Sequence, residues 1–292
     1  MDQNMKSSIT VLMPVYDGGK YLGQAIESIL NQTFAGFDLL IIDDCSSDRS
    51  VDIIRSYRDS RIRLVQNDSN MGLIGTLNKG IALATGSFIA RMDQDDISMP
   101  ERLRKQTEFM EAHPEVAVCG CWATDIDEDG NASGKRETPV GPQMAKDYWR
   151  PSPIIHPSAF MRTAIATKYT YDMSFIDAED YELWLRIARD HPIDNIAEYL
   201  LHYRMNSTSI TNVRRQSQLQ STYAAFRKHV MLSDLSYDEF CSLLFIDSKV
   251  HPLRRIYKSR RLLLRGRSDL RSFVADNRDY LNYWLDSRHA RT

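Results

Sequence analysis

Residues 87–96 read Ser-Phe-Ile-Ala-Arg-Met-Asp-Gln-Asp-Asp, an apolar run that ends in three carboxylates within four residues. The run from Ser87 to Met92 reads as a buried strand, with Asp93, Asp95 and Asp96 at its carboxyl end. Three earlier runs share this character. Ile9 to Pro14 (ITVLMP), Asp38 to Asp44 (DLLIIDD) and Arg61 to Gln66 read as strands, the second also ending in two carboxylates. Between them, Tyr21, Leu22, Ala25, Ile26, Ile29 and Leu30 recur at helical spacing, and Asp48 to Tyr57 is helical. Asn78 to Ala84 continues a helix that Gly86 is expected to cap in the left-handed conformation. This alternation predicts right-handed crossovers and an α/β fold, a mainly parallel sheet with helices on both faces. Ligands of such sheets gather at the carboxyl ends of the strands, where both acidic clusters stand.

Downstream, Ser98-Met99-Pro100-Glu101 combines capping-box spacing with a proline in the first turn, predicting a helix that runs to about His113, where Pro114 stops it. Val116 to Ala123 reads as a strand, and Asp125 to Pro153, with Gly130, Gly134 and Gly141, as loop or lid. A helix from about Glu179 to Arg189 carries Leu183, Trp184 and Ile187 as its buried stripe. A strand-like segment follows from Ile193 to Tyr203. Beyond about Thr211 the strand signals end and the chain reads as helical.

The 292 residues carry 37 Lys+Arg against 39 Asp+Glu, a formal net charge of −2, with aromatics at 10%. Disorder as the main state is excluded by the apolar content, and the charge balance argues against a nucleic-acid binder. The near balance hides two unlike parts. Residues 249–292 hold 12 basic and 4 acidic side chains, net +8, which leaves 25 and 35, net −10, for residues 1–248. In that basic end Arg254, Arg255, Lys258, Arg260 and Arg261 flank Ile256, Tyr257 and Leu262. Such a helix can lie on an anionic membrane surface or pack on the protein's own acidic face. No apolar run approaches the ~20 residues of a spanning helix, and the first residues lack a secretory signal. The expected location is the cytoplasm, or a peripheral position at the inner face of the cell membrane. Cys45, Cys119, Cys121 and Cys241 are too few and scattered for a disulfide framework and are expected as reduced thiols.

Three carboxylates this close raise one another's pKa unless a cation compensates. A hard divalent ion such as Mg²⁺ or Mn²⁺ would do so and would bridge to substrate phosphates. The other reading is a solvated acidic turn that caps the next helix. Asp43-Asp44 can likewise cap a helix, or Asp44 can accept hydrogen bonds from a pyrimidine N–H or a ribose hydroxyl while the Tyr16 ring covers a base. Glu179-Asp180 either complements the dipole of its helix or puts Asp180 in the cleft as a general base. His156, in an apolar loop, reads as a structural residue or a weak binding group.

The ordered set Pro14-x-Tyr16, Asp43-Asp44-x-Ser46, Asn70-x-Gly72, Asp93-x-Asp95-Asp96 with Pro100, His156-Pro157 and Glu179-Asp180-x-x-Leu183-Trp184-x-Arg186 resembles the family 2 glycosyltransferases of the GT-A fold, over about residues 8–211. The resemblance implies a GT-A domain over residues 1–211, with a donor half of about 8–125 and an acceptor half of about 126–211, followed by a helical, basic extension over 212–292. It implies that Pro14, Val15, Tyr16, Asn70 and Asp44 bind the nucleotide, with Asp44 on the base. Asp93 would meet the ribose and diphosphate and share a divalent cation with Asp95, and Asp180 would be the catalytic base. His156, Glu179 and Trp184 would lie on the acceptor side. Tyr203-Arg204-x-Asn206 resembles the family's Tyr-Arg-x-His segment, with Asn206 in place of a histidine that can bind metal or diphosphate; His202 is near but does not match. The Q-x-x-R-W motif of processive synthases is absent, which implies one sugar per encounter. The implied reaction moves one sugar from a nucleotide-diphosphate sugar, expected to be a UDP-sugar, to an acceptor hydroxyl with inversion. The implied setting is bacterial surface polysaccharide or lipid-linked glycan assembly, with a glycan or lipid-linked acceptor. Two other functions remain open on the residues alone: a non-catalytic sugar-nucleotide-binding protein, against which Asp95 and Asp180 speak, and a nucleotidyltransferase, which should carry a glycine- and arginine-rich phosphate loop after the first strand. A dehydrogenase would need G-x-G-x-x-G there, where the chain reads Val15-Tyr16-Asp17-Gly18-Gly19.

Overall fold

The computed structural model describes residues 9–147, 152–205 and 215–230, together with 236, 237 and 240. By compactness the chain divides into two units, Met1–Val230 and Met231–Thr292, and the elements below all belong to the first. The basic end at 249–292, Asn206 and Cys241 lie outside the described residues.

Strands β1 (Ile9–Val15), β2 (Phe37–Asp43), β3 (Ile62–Gln66) and β4 (Phe88–Arg91) pair in parallel in the order β3-β2-β1-β4. Their near-continuous apolar runs follow from burial on both faces. Alternate residues serve opposite layers, because successive side chains of a strand point to opposite sides. Val11, Met13, Leu39 and Ile41 pack with Leu22, Ala25, Ile26 and Ile29 of α1 (Leu22–Leu30) and with Ile54 of α2 (Ser50–Ser56). Leu12, Leu40 and Ile42 pack on the other side with Ile74, Leu77 and Ile81 of α3 (Gly72–Leu83). Along β4, Phe88 and Ala90 join the α1 layer and Ile89 the α3 layer. Arg91, two residues on from Ile89, therefore points to the α3 side.

The second half adds β5 (Ile97–Ser98), α4 (Arg102–Ala112), β6 (Val118–Ile126), β7 (Ala132–Arg136), α5 (Pro142–Asp147), a 3₁₀ turn at His156–Ser158, β8 (Phe160–Arg162), α6 (Thr163–Lys168), α7 (Glu179–Ala188), β9 (Ile193–Arg204) and α8 (Arg215–His229). One sheet runs β3-β2-β1-β4-β8-β6-β9-β5, with β7 paired to β6. It is parallel as expected in the first half and mixed beyond β4. There β4–β8, β6–β8, β6–β7 and β5–β9 are antiparallel and β6–β9 is parallel. Helix α7 buries Leu183, Trp184 and Ile187 in the α3 layer. Its Glu182, wholly buried, takes two hydrogen bonds from Arg186, at 3.0 and 2.7 Å, and lies 2.8 Å from Nε2 of His229 on α8.

Several local expectations change. The capping box at Ser98 does not form: Ser98 is a strand residue, and α4 starts at Arg102. Gln32, just past α1, takes the capping role from outside, its Oε1 accepting from Leu103 N at 3.0 Å while its Nε2 donates to Met99 O at 2.7 Å. Gly86 is not a left-handed cap, since α3 ends at Leu83 with Ala84 extended. A side chain there would meet the β1 backbone, with a Cβ 2.6 Å from Thr10 N and 2.7 Å from Ile9 C, so the constraint at Gly86 is close packing. The expected loop over 125–153 contains the end of β6, then β7 and α5. Cys119 and Cys121 are buried free thiols, and Cys45 is an exposed one. Among the described residues no helix is long and apolar enough to cross a membrane.

Candidate active site

The carboxyl ends of β1, β2 and β4 form one rim. At the end of β2, Asp44 is almost fully buried and caps α3 rather than α2. Its Oδ1 accepts from Met71 N at 2.8 Å and from Asn67 Nδ2 at 2.7 Å, and its Oδ2 accepts from Gly72 N at 2.9 Å. Lys79 continues this chain by donating to Asn67 Oδ1 at 2.7 Å. Asn70 supports the same turn, its Oδ1 accepting from Gly72 N at 3.0 Å. Gly72 adopts φ of +72°, a conformation that residues with side chains rarely take. A charged cap at a helix N-terminus satisfies N–H groups that have no partner within the helix.

Pro14 and Val15 are buried in β1, so Val15 reaches the rim through its carbonyl, which accepts from Asp44 N at 2.7 Å. Tyr16 is 50% exposed and stands at the mouth of the rim. Its backbone is clamped by the Gln94 amide: Tyr16 N donates to Gln94 Oε1 at 2.9 Å, and Gln94 Nε2 donates to Tyr16 O at 3.0 Å. Asp17, at φ of 46°, ties the β1 loop to the β2 loop, its Oδ1 accepting from Ser47 N at 2.8 Å. Gln94 occupies the variable position inside the Asp-x-Asp signature, and nothing in its spacing marks it as a clamp.

The three acids after β4 divide their work. Asp93 forms an ion pair with Arg91, Oδ1 to Nη2 at 2.6 Å. Burial first, and neighbouring Asp93 second, push the Asp95 carboxyl up to about 6. Asp96 is buried and turned away from the rim, its Oδ1 accepting from Arg204 N at 2.8 Å; burial and the two neighbouring acids hold its carboxyl well above the usual range. Arg204 fixes this loop from β9. Its Nε donates to Asp95 O at 2.8 Å, its Nη1 to the carbonyls of Asp127 and Glu128 and its Nη2 to Gln24, while the guanidinium lies 4.2 Å from the centre of the Tyr21 ring. Arg102, fully buried in α4, donates to Arg91 O at 2.7 Å and braces the same segment from beneath.

The second acidic pair opens α7. Glu179 is 8% exposed, and burial followed by the adjacent Asp180 pushes its carboxyl up to about 7. Burial also raises the Asp180 carboxyl, against the hydrogen bond that its Oδ1 accepts from Tyr181 N at 2.7 Å. His156 Nε2 lies 2.8 Å from the Tyr171 hydroxyl, and the His156 ring meets Trp184 edge-on at 6.1 Å. Burial and the charge of Arg91 depress the His156 pKa well below its ordinary value, so the ring is neutral. Trp184 is a fully buried core residue. The charge of Arg91 acts on both acidic sets, lowering the pKa values of Asp95 and Asp96 on one side and of Glu179 and Asp180 on the other.

Among the described residues no three His, Cys, Asp or Glu side chains converge as a ready-made metal site. The donor set nonetheless fits a hard cation. Asp93 and Asp95 offer carboxylate oxygens, and burial with the neighbouring Asp93 charge raises the cost of ionising Asp95, which a cation would lower. Mg²⁺ and Mn²⁺ are commonly held by one or two carboxylates, with water and substrate phosphates completing the shell.

The folded pKa of Glu179 lies above its unfolded value, so its ionisation destabilises the fold as pH rises between the two. Glu179→Gln is expected to match wild type in thermal midpoint near pH 4 and to exceed it by a few degrees near pH 8. A midpoint at or below wild type near pH 8 would contradict the assigned environment.

Residues 10–169 match the family described as Glycosyl transferase family 2. The chain is 34% identical over 231 residues to an uncharacterized glycosyltransferase of Methanocaldococcus jannaschii, covering 77% of this chain and 80% of that protein. It is 29% identical over 206 residues to the Escherichia coli UDP-Glc:alpha-D-GlcNAc-diphosphoundecaprenol beta-1,3-glucosyltransferase WfgD, covering 70% of this chain and 79% of that one. Among solved structures it is similar to the mannosyltransferase PcManGT of Pyrobaculum calidifontis in complex with GDP-Man and Mn²⁺. That superposition has a TM-score of 0.61 at 15% identity, over 87% of this chain and 69% of that one. With the GT-A type sheet and the two acidic sets in place, the chain belongs to glycosyltransferase family 2 and is a transferase.

Proposed function

We propose that this glycosyltransferase moves one sugar per encounter from a UDP-sugar to a hydroxyl of a lipid-linked glycan, with inversion, in the assembly of a surface polysaccharide. The reading is supported by Arg91, one buried guanidinium that is ion-paired with Asp93 and whose charge also reaches the Glu179–Asp180 pair, as expected where both acidic sets face one cleft. The uridine donor and the lipid-diphosphate acceptor are supported by the relative WfgD, whose name specifies both. Single transfer is supported by the absence of Q-x-x-R-W.

In this reading Asp44 and Asn70, both fastened to the start of α3, hold the nucleotide base and ribose, with the exposed Tyr16 ring over the base. Asp93 and Asp95 hold Mg²⁺ or Mn²⁺, which supplies charge neutralisation for the departing diphosphate. Asp180 accepts the proton of the acceptor hydroxyl as attack proceeds. Its raised pKa makes it a stronger base than a solvated aspartate, which suits proton transfer near neutral pH. A single base opposite the leaving group requires a single displacement, hence inversion. Glu179 and the neutral His156 and Tyr171 pair border the acceptor side.

Purified protein incubated with a panel of UDP-sugars is expected to release UDP, and Asp180→Asn is expected to lower kcat about 10²- to 10⁴-fold. Activity within a few-fold of wild type would remove Asp180 from the role of base. EDTA is expected to abolish turnover and added Mn²⁺ to restore it; full activity in chelator would take the metal away from Asp93 and Asp95. The basic end 249–292 is proposed to hold the enzyme on anionic lipid. Flotation with anionic liposomes should recover the full chain and lose a chain ending at residue 248, whereas equal recovery would end the membrane reading.

A further inference from the structure

Arg91 ends β4 and is 3% exposed. One of its nitrogens, Nη2, is committed to Asp93 at 2.6 Å, while Nε and Nη1 are buried without a hydrogen-bond partner. An unmade buried hydrogen bond is costly, and more so when the group is charged. The Asp93 ion pair accounts for Nη2 and leaves the other two nitrogens unexplained. Unpartnered buried donors in a folded protein call for a specific explanation, and at a site that binds substrate the simplest is a partner that arrives with the ligand.

Position narrows what that partner is. Arg91 sits within the sheet on the α3 side, two residues short of Asp93, whereas the acids assigned to diphosphate and metal stand at the rim. Its charge also reaches Tyr171, His156, Glu179 and Asp180. Arg91 is thus paired with one assigned diphosphate ligand and within electrostatic range of the assigned base, and in a displacement at an anomeric carbon the transferred sugar occupies the interval between those two. The chemistry agrees. The charge of Arg91 is already balanced by Asp93, so its remaining N–H groups suit a neutral acceptor. A sugar hydroxyl accepts from a guanidinium and donates its own hydrogen to a neighbouring carboxylate, and Arg91 with Asp93 presents both.

We propose that Arg91 binds the transferred sugar, its Nε–H and Nη1–H donating to ring hydroxyl oxygens, and so helps to decide which sugar is accepted. This rests on the glycosyl-transfer reading above and specifies how that site holds the donor. A site built to hydrogen-bond a hydroxyl discriminates strongly against sugars that misplace it, because its buried donors would stay unpaired.

The test is calorimetric titration of the full-length protein with UDP and with UDP-glucose, UDP-galactose and UDP-N-acetylglucosamine in the presence of Mn²⁺. For the best-bound sugar nucleotide, Arg91→Met is expected to weaken binding about 10- to 100-fold more than it weakens binding of UDP. Its thermal midpoint is expected to fall, because Asp93 loses its ion-pair partner and the neighbouring acids lose a cation. Arg91→Lys keeps the charge without the fork and should fall between the two; it also provides the UDP-sugar to UDP ratio should the Met variant fail to fold. Equal weakening of UDP and UDP-sugar, or no weakening of either, overturns the assignment while leaving glycosyl transfer intact. Wild-type protein that binds none of the four nucleotides overturns the functional reading and this inference with it.

Discussion

Asp93, Asp95, Asp96, Glu179 and Asp180 share the electric field of one buried guanidinium, and their mutual repulsion is the constraint that the surrounding structure manages. Arg91 gives an ion pair to Asp93 and lowers the cost of ionising the others. Asp96 is turned into the protein, where the backbone N–H of Arg204 receives it. The Arg204 guanidinium then holds the carbonyl of Asp95 and the carbonyls at 127 and 128, joining β9, α1 and the turn after β6 to the acidic loop. Carboxylates confined in this way repel one another, a state that a divalent cation would relieve.

Preorganisation at the nucleotide end uses backbone hydrogen bonds. Asp44 accepts hydrogen bonds from Asn67 and from the first turn of α3, and Gln94 and Asp17 fasten the β1 loop to its neighbours on either side. Loops held at this many points present their side chains without an ordering cost on binding. At the other end, Glu182 binds Arg186 and meets His229 of α8, anchoring the helix that carries Glu179 and Asp180.

The first half of the fold was legible because its strands are continuous apolar runs separated by amphipathic helices, a pattern that only a sheet covered on both faces explains. The acidic clusters were legible for the same reason: they interrupt such runs at their carboxyl ends. What escaped were partners distant in sequence. Gln32 caps a helix that starts 70 residues later, Gln94 clamps Tyr16 from the loop after β4, and Asp44 caps α3 rather than the helix next to it. None of these has a local signature, because an amide or carboxylate reads the same whether it faces water or a distant backbone. In the second half β6 and β9 were legible, but β8 and β5 escaped, since they are too short to show a period and take their direction from the strands beside them.

The sequence by itself determined the alternating α/β order, the two sets of carboxylates and their places at strand and helix ends, because hydrophobic periodicity and the spacing of acids are properties of the chain alone. Only the tertiary structure decided the division of labour among those acids. Asp93 is paired and Asp96 turned inward, while Asp95 and the Glu179–Asp180 pair carry raised pKa values, outcomes set by burial and by which cation lies near. It also decided that Arg91, in sequence merely one polar residue in an apolar strand, is buried with two donors unpaired between both acidic sets. Burial and proximity are created by folding, so no reading of neighbours along the chain could have supplied them.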